Sequence, residues 1–207
     1  MDEREVRFIS EIVKPWELLN ADLSKPFSMN PTINDFTTRA QALAVSIKHF
    51  PEAQSGAKIK ELATQSRPYE VMSDLADSFK HGKLKKSGRQ CKLLVGSMFE
   101  RNPFAEVRFL RNRITVKHNA YGNFDFMQCS LEAAVFVLQN LRIQTNWSPK
   151  ILNNSGMFSK KMKVHASKTN QEMWNGMQLE LVEVNEKGEY VNIDLNGTVL
   201  FDLTSDF

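Results

Sequence analysis

What this chain has little of narrows its class first. Its 207 residues hold two cysteines, Cys91 and Cys129, too few for a disulfide framework and without C-x-x-C spacing. They read as reduced core thiols of a cytoplasmic protein. No stretch approaches the roughly 18 uninterrupted apolar residues that a membrane-crossing helix needs, so no membrane partner is expected. The start, Met1-Asp2-Glu3-Arg4-Glu5, is acidic where a secretory signal would be basic and then apolar. There is no glycine-rich phosphate loop, and Gly96-Ser97-Met98 lacks the second glycine of a nucleophile elbow. His49, His81, His118 and His165 are scattered over separate segments with no metal-ligand spacing, so neither a metal nor another cofactor is expected.

What is present is ordinary globular material, 42% apolar and 25% charged, in a length that suits one core or one core with an appended subdomain. The charge, however, is sorted along the chain. From Lys80 to Lys117 eleven bases stand against the two acids Glu100 and Glu106. From Glu172 to the end, eight acids face the single base Lys187. The whole-chain value of +3 conceals this asymmetry, which points to a polyanionic partner or to an internal charge contact.

Residues 1–82 have helical periodicity. Phe8, Ile9, Ile12, Val13, Trp16 and Leu19 recur at spacings of three and four and form one apolar stripe, which Pro15 should kink or split. A second stripe, Phe36, Ala40, Leu43, Ala44 and Ile47, is expected to end at His49-Phe50-Pro51, because the residue before proline avoids the helical region. A short helix follows through Ile59, Leu62 and Ala63. Pro68 opens the next helix, whose buried stripe is Val71, Met72, Leu75 and Phe79 and whose left-handed stop is Gly82.

Beyond Gly82 the period becomes strand-like. Lys83 to Gly88 is a basic loop, Lys92 to Phe99 a strand, and Val107 to Val116 has the β-branched alternation of a half-buried sheet. A turn at Asn119 to Gly122 returns the chain through Phe124 to Phe126. Ser130 is expected to cap a helix with the stripe Leu131, Ala134, Val135, Leu138 and Leu141. Residues 146–171 read as a basic loop or linker, and Trp147 there and Trp174 just beyond it either mark an interaction surface or cap the core. The acidic tail, 172–207, reads as a three-stranded meander: Leu179 to Val184, Tyr190 to Leu195, and Thr198 to Leu203, the last two joined by an Asn196-Gly197 turn. The expectation is an α+β fold. It has an N-terminal helical group (1–82), a central antiparallel sheet with one packed helix (83–145, sharing a core with 1–82), and a C-terminal meander.

Two sites compete. Asp74, Asp77 and His81 stand at i, i+3 and i+7 and share one helix face, where carboxylates beside an imidazole suit general acid–base work; the plainer reading is the polar face every amphipathic helix needs. The basic segment offers Lys83, Lys85, Lys86, Arg89, Arg111 and Arg113 to the phosphates of a nucleic acid, against the plainer reading of a solvated face. Phe99, Phe104, Phe109 and Tyr121 are candidates for base stacking. Arg113 to His118 has Arg, four residues, His spacing, but its β-branched middle reads as strand, which sends the two side chains to opposite faces. Cys91 beside a histidine reads as a buried thiol before a nucleophile.

The run Leu75-Ala76-Asp77-Ser78-Phe79-Lys80-His81-Gly82, closing a helix after three others, resembles the end of the HEPN superfamily motif. In that motif an Arg, a polar residue, three variable residues and a His cleave RNA or bind nucleotides. His81 and Gly82 match and Asp77 takes the polar place, but Ala76 stands where the family has its catalytic Arg, which removes the cation that would steady a phosphorane-like charge. The order of elements through residue 143 also resembles small bacterial and mobile-element proteins with an Asp-rich helix ending in Lys-His. The reading carried forward is a non-catalytic protein that binds nucleic acid, a protein partner or another copy of itself. The alternative is an HEPN-like ribonuclease or nucleotide-processing enzyme using Asp74, Asp77 and His81.

Overall fold

A computed structural model describes residues 2–26, 33–159 and 177–193. The architecture is α+β, with the helical group first, as the change of period implies. Asp2 caps α1 (Glu3–Phe8) by accepting from the Arg4 N–H. Ile9–Val13 form a π turn and α2 (Lys14–Leu23) continues from it. Pro15 has no N–H for the helical ladder, and the widened turn just ahead of it carries the chain past that gap. The expected stripe is the buried one, with Phe8, Ile12, Val13, Trp16 and Leu19 all in the core.

Helix α3 (Ile33–Ser55) does not stop at Pro51 but runs through it. Pro51 leaves the Ile47 carbonyl without its usual donor. The neighbouring Lys48 carbonyl, however, accepts the Tyr69 hydroxyl at 2.6 Å, and Ile47 and Phe50 are buried, so packing holds the helix where local preference would end it. After α4 (Ile59–Gln65), α5 (Arg67–His81) opens on Ser66, which accepts from the Tyr69 N–H, with proline in its first turn. It closes at Gly82, whose φ of 66° is the left-handed value glycine takes without strain. Val71, Met72 and Leu75 are buried as expected, but Phe79 is not: it is 52% exposed.

Strands β1 (Cys91–Arg101), β2 (Val107–His118) and β3 (Gly122–Asp125) join β4 (Met177–Val184) and β5 (Tyr190–Asn192) in one sheet of order β3-β2-β1-β4-β5. The five-residue connection after β1 is too short for a crossover, so β1 and β2 form a hairpin. Its turn is held by the Asn102 side chain, which accepts from the Phe104 and Glu106 N–H groups. β2 and β3 are antiparallel, as are β4 and β5. β4 lies parallel to β1, with Val95 opposite Met177 through Glu100 opposite Val182, so the sheet is mixed and the acidic tail extends it. The third strand expected at Thr198 to Leu203, the Asn196-Gly197 turn, Trp174 and His165 lie outside the described residues.

Helix α6 (Phe126–Leu141) is capped by Asp125, not Ser130: the Asp125 carboxylate accepts from the Met127 and Gln128 N–H groups. Ser130 sits one turn in, fully buried, and accepts from Trp16 Nε1 at 3.1 Å. Trp147 packs edge-on against Trp16 and Phe8, so it caps the core.

The chain divides into two compact units. One comprises Met1–Asp22, Asn34–Leu94 and Ile114–Ile151; the other comprises Leu23–Ile33, Val95–Arg113 and Leu152–Phe207. In the second, Met98, Leu110 and Val182 make a small apolar cluster. Ser97 is buried there, within strand β1 and not on a strand-to-helix turn, and donates to the Asn112 amide oxygen. Cys91 and Cys129 are free and buried; burial foremost pushes each thiol up to about 12, which keeps both protonated and unreactive. Among the described residues no helix is long and apolar enough to cross a membrane.

Candidate functional site

The face of α5 proposed for acid–base chemistry is occupied by cations from elsewhere in the first unit. Asp74 is only 1% exposed and accepts from Arg89 Nε at 2.7 Å. Asp77 accepts from Arg89 at 2.9 Å and from the Lys48 ammonium, which reaches it from α3. His118, near the end of β2, meets the other Asp74 oxygen through Nε2 at 3.1 Å. Its Nδ1 accepts from the Ala120 N–H, so the proton stands on Nε2 and the ring donates to Asp74. Both ring nitrogens are committed, which leaves His118 no lone pair for substrate. Tyr121 stacks on the same ring at 4.4 Å and carries the Arg67 guanidinium over its outer side.

The electrostatics follow. Burial by itself would raise the Asp77 carboxyl, but the hydrogen bonds and charges of Lys48 and Arg89 outweigh it and hold the group below its ordinary value. Hydrogen bonding to Asp74 in the first place, with Asp77 adding to it, holds the Arg89 guanidinium more firmly protonated. Two carboxylates thus balance two cations, and the cluster is neutral and hydrogen-bonded. His81 stays outside it, exposed, and among the described residues no hydrogen bond or ion pair joins it to Asp74 or Asp77. Asp74 and Asp77 share a site as the helical spacing predicts, but their partners are Lys48, Arg89 and His118.

The basic segment is sorted by residue type. Arg89 ties the lysine loop to α5 through this cluster. Arg101 pairs with Glu183, Arg108 with Glu100 and Arg113 with Glu180, all within the second unit. Arg111, expected on a polymer-binding surface, is 4% exposed and donates to the Asn112 carbonyl. The lysines differ. Lys80, Lys83, Lys85, Lys86, Lys92 and Lys117 are all exposed, and among the described residues none has an acidic partner.

The loop that carries Lys83, Lys85 and Lys86 is nonetheless fixed. Gln90 accepts from the Leu84 N–H and donates to the Gly82 carbonyl, 2.9 Å in each case. Asn119 donates to the Ser87 carbonyl at 2.8 Å, and the Asn119 and Ala120 N–H groups reach Gln90 and Gly88. A single turn of tighter helix, Ser87–Arg89, delivers Arg89 to the aspartates. Of the aromatics considered for stacking, Phe99 and Phe109 pack on each other in the sheet, whereas Phe104 and Tyr121 are exposed. Among the described residues no group of three metal-ligating side chains occurs.

No family model, no curated protein and no solved structure matches this chain.

Proposed function

We propose that the protein binds the phosphate backbone of a nucleic acid, without catalysis, through Lys83, Lys85 and Lys86. The observation that carries this reading is a fixed loop bearing three exposed lysines that have no acidic partner among the described residues, in a chain whose neighbouring arginines are engaged. Uncompensated ammonium groups on a rigid frame gain affinity for phosphates by releasing counterions, and lose no loop entropy on binding. Arg89 supports the loop and does not present its charge to the polymer, and Arg111, buried, and Arg113, paired with Glu180, are not part of the proposed surface.

Substituting Lys83, Lys85 and Lys86 with Glu should weaken binding to labelled RNA or DNA of any sequence and flatten the dependence of affinity on salt. An unchanged affinity in the triple variant removes the proposal. The HEPN-like alternative would use the Asp74, Asp77 and His81 face. The commitment of both carboxylates to Lys48, Arg89 and His118 favours binding over cleavage. RNA cutting that His81→Ala abolishes would reverse that preference.

A further inference from the structure

The groove between α3, α5 and the start of β1 adds an aromatic ring to the lysines. It has a volume of about 320 Å³, and Thr37, Gln41, Phe79, Gln90 and Lys92 contribute to its lining. Phe79 stands in register with the buried Met72 and Leu75 of α5, yet half of its surface faces water. Gln41 is half-buried, and among the described residues its side-chain amide has no hydrogen-bond partner, which leaves a donor and an acceptor at the groove. Lys92 lines the same groove, and Lys80 and Lys83 adjoin the lining residues Phe79 and Gly82 in sequence, all three exposed and, among the described residues, without acidic partners.

We propose that this groove holds an unpaired nucleobase, so that the polymer recognised is single-stranded nucleic acid; the inference rests on the nucleic-acid reading above. A flat ring on the surface, flanked by cations, suits a base whose face stacks on Phe79 while adjacent phosphates meet Lys80, Lys83 and Lys92. Gln41 then meets the base edge. In a duplex each base face is already stacked and each pairing edge taken, so neither Phe79 nor Gln41 would find a partner.

The test compares a single-stranded oligonucleotide with a duplex of the same length, by fluorescence anisotropy on the full chain. Phe79→Ala should weaken single-strand binding by about tenfold and leave duplex binding unchanged, with Phe79→Tyr close to the parent protein. An exposed phenylalanine can be removed without unfolding the chain, which an unchanged urea midpoint verifies. Single-strand binding that needs Lys83, Lys85 and Lys86 but ignores Phe79 overturns this inference and leaves the phosphate reading standing. Failure to bind either polymer overturns both. A dimer in sedimentation velocity that Phe79→Ala dissolves assigns the groove to a second copy of the chain and likewise overturns it.

Discussion

The strands of the basic segment and the loop before them carry the same sign of charge and use it differently. On β1 and β2, Arg101, Arg108 and Arg113 each meet a glutamate, and Arg111 is drawn into the interior. On the loop, Lys83, Lys85 and Lys86 meet none among the described residues. The division follows residue type for a physical reason. A guanidinium is weakly hydrated and offers a planar fork of donors that fits a carboxylate, so it is the cation that folding can enclose. An ammonium holds its water more tightly and stays at the surface. A basic run in a sequence therefore overstates the charge available to a partner wherever that run contains arginines within reach of acids.

Removing residues 177–207 should break the comparison most severely. It would strip Glu180 and Glu183 from Arg113 and Arg101, expose the β1 edge from Val95 to Glu100, and uncover Leu181 and Val182 contacts worth about 1.5–3 kcal/mol per side chain. The expected result, read by gel filtration and thermal denaturation, is aggregation or loss of the cooperative transition. A truncated chain that stays folded would show that β4 is an accessory to the sheet.

A smaller effect sharpens the contrast between engaged and free cations. Arg89→Met leaves the buried Asp74 carboxylate with His118 alone and should lower stability by about 3 kcal/mol, the low end for an orphaned buried charge because Arg89 itself is 43% exposed. Lys85→Met should change it by less than about 0.5 kcal/mol. Urea denaturation of the two variants decides the matter, and equal losses would contradict it.

The smallest expected effect is one of pH. The folded-state value of Asp77 is depressed, so its contribution to stability is present above the ordinary carboxylate range and is lost as pH falls through the lowered value. Lys48→Met removes part of the cause, so the loss in that variant should begin at higher pH. Urea midpoints followed from neutral pH to about pH 2 test the sign. Identical profiles for the parent and the variant would show that Lys48 does not stabilise the ionised carboxylate.

Local chemistry was legible wherever it acts over a few residues. The stripe from Phe8 to Leu19, the proline start and glycine stop of α5, and the strand period after Gln90 all depend on neighbours along the chain. So does the placing of Arg113 and His118 on opposite faces of β2, where they meet different partners, Glu180 and Asp74. The long-range outcomes were not legible. Pro51 inside α3 is stabilised by Tyr69, and Asp125 caps α6 a turn before Ser130, which lies buried within the helix and accepts from Trp16. The site itself depended on both kinds of information. Helical spacing by itself put Asp74 beside Asp77 and the composition put lysines on the following loop, because both are short-range matters. Only the tertiary structure decided that Lys48 and Arg89 would neutralise those aspartates and His118 would hydrogen-bond to Asp74, that β4 would lie parallel to β1, and that Phe79 would face water. Those outcomes depend on which distant segments the packed core brings within a few ångströms of one another, and no local pattern encodes that.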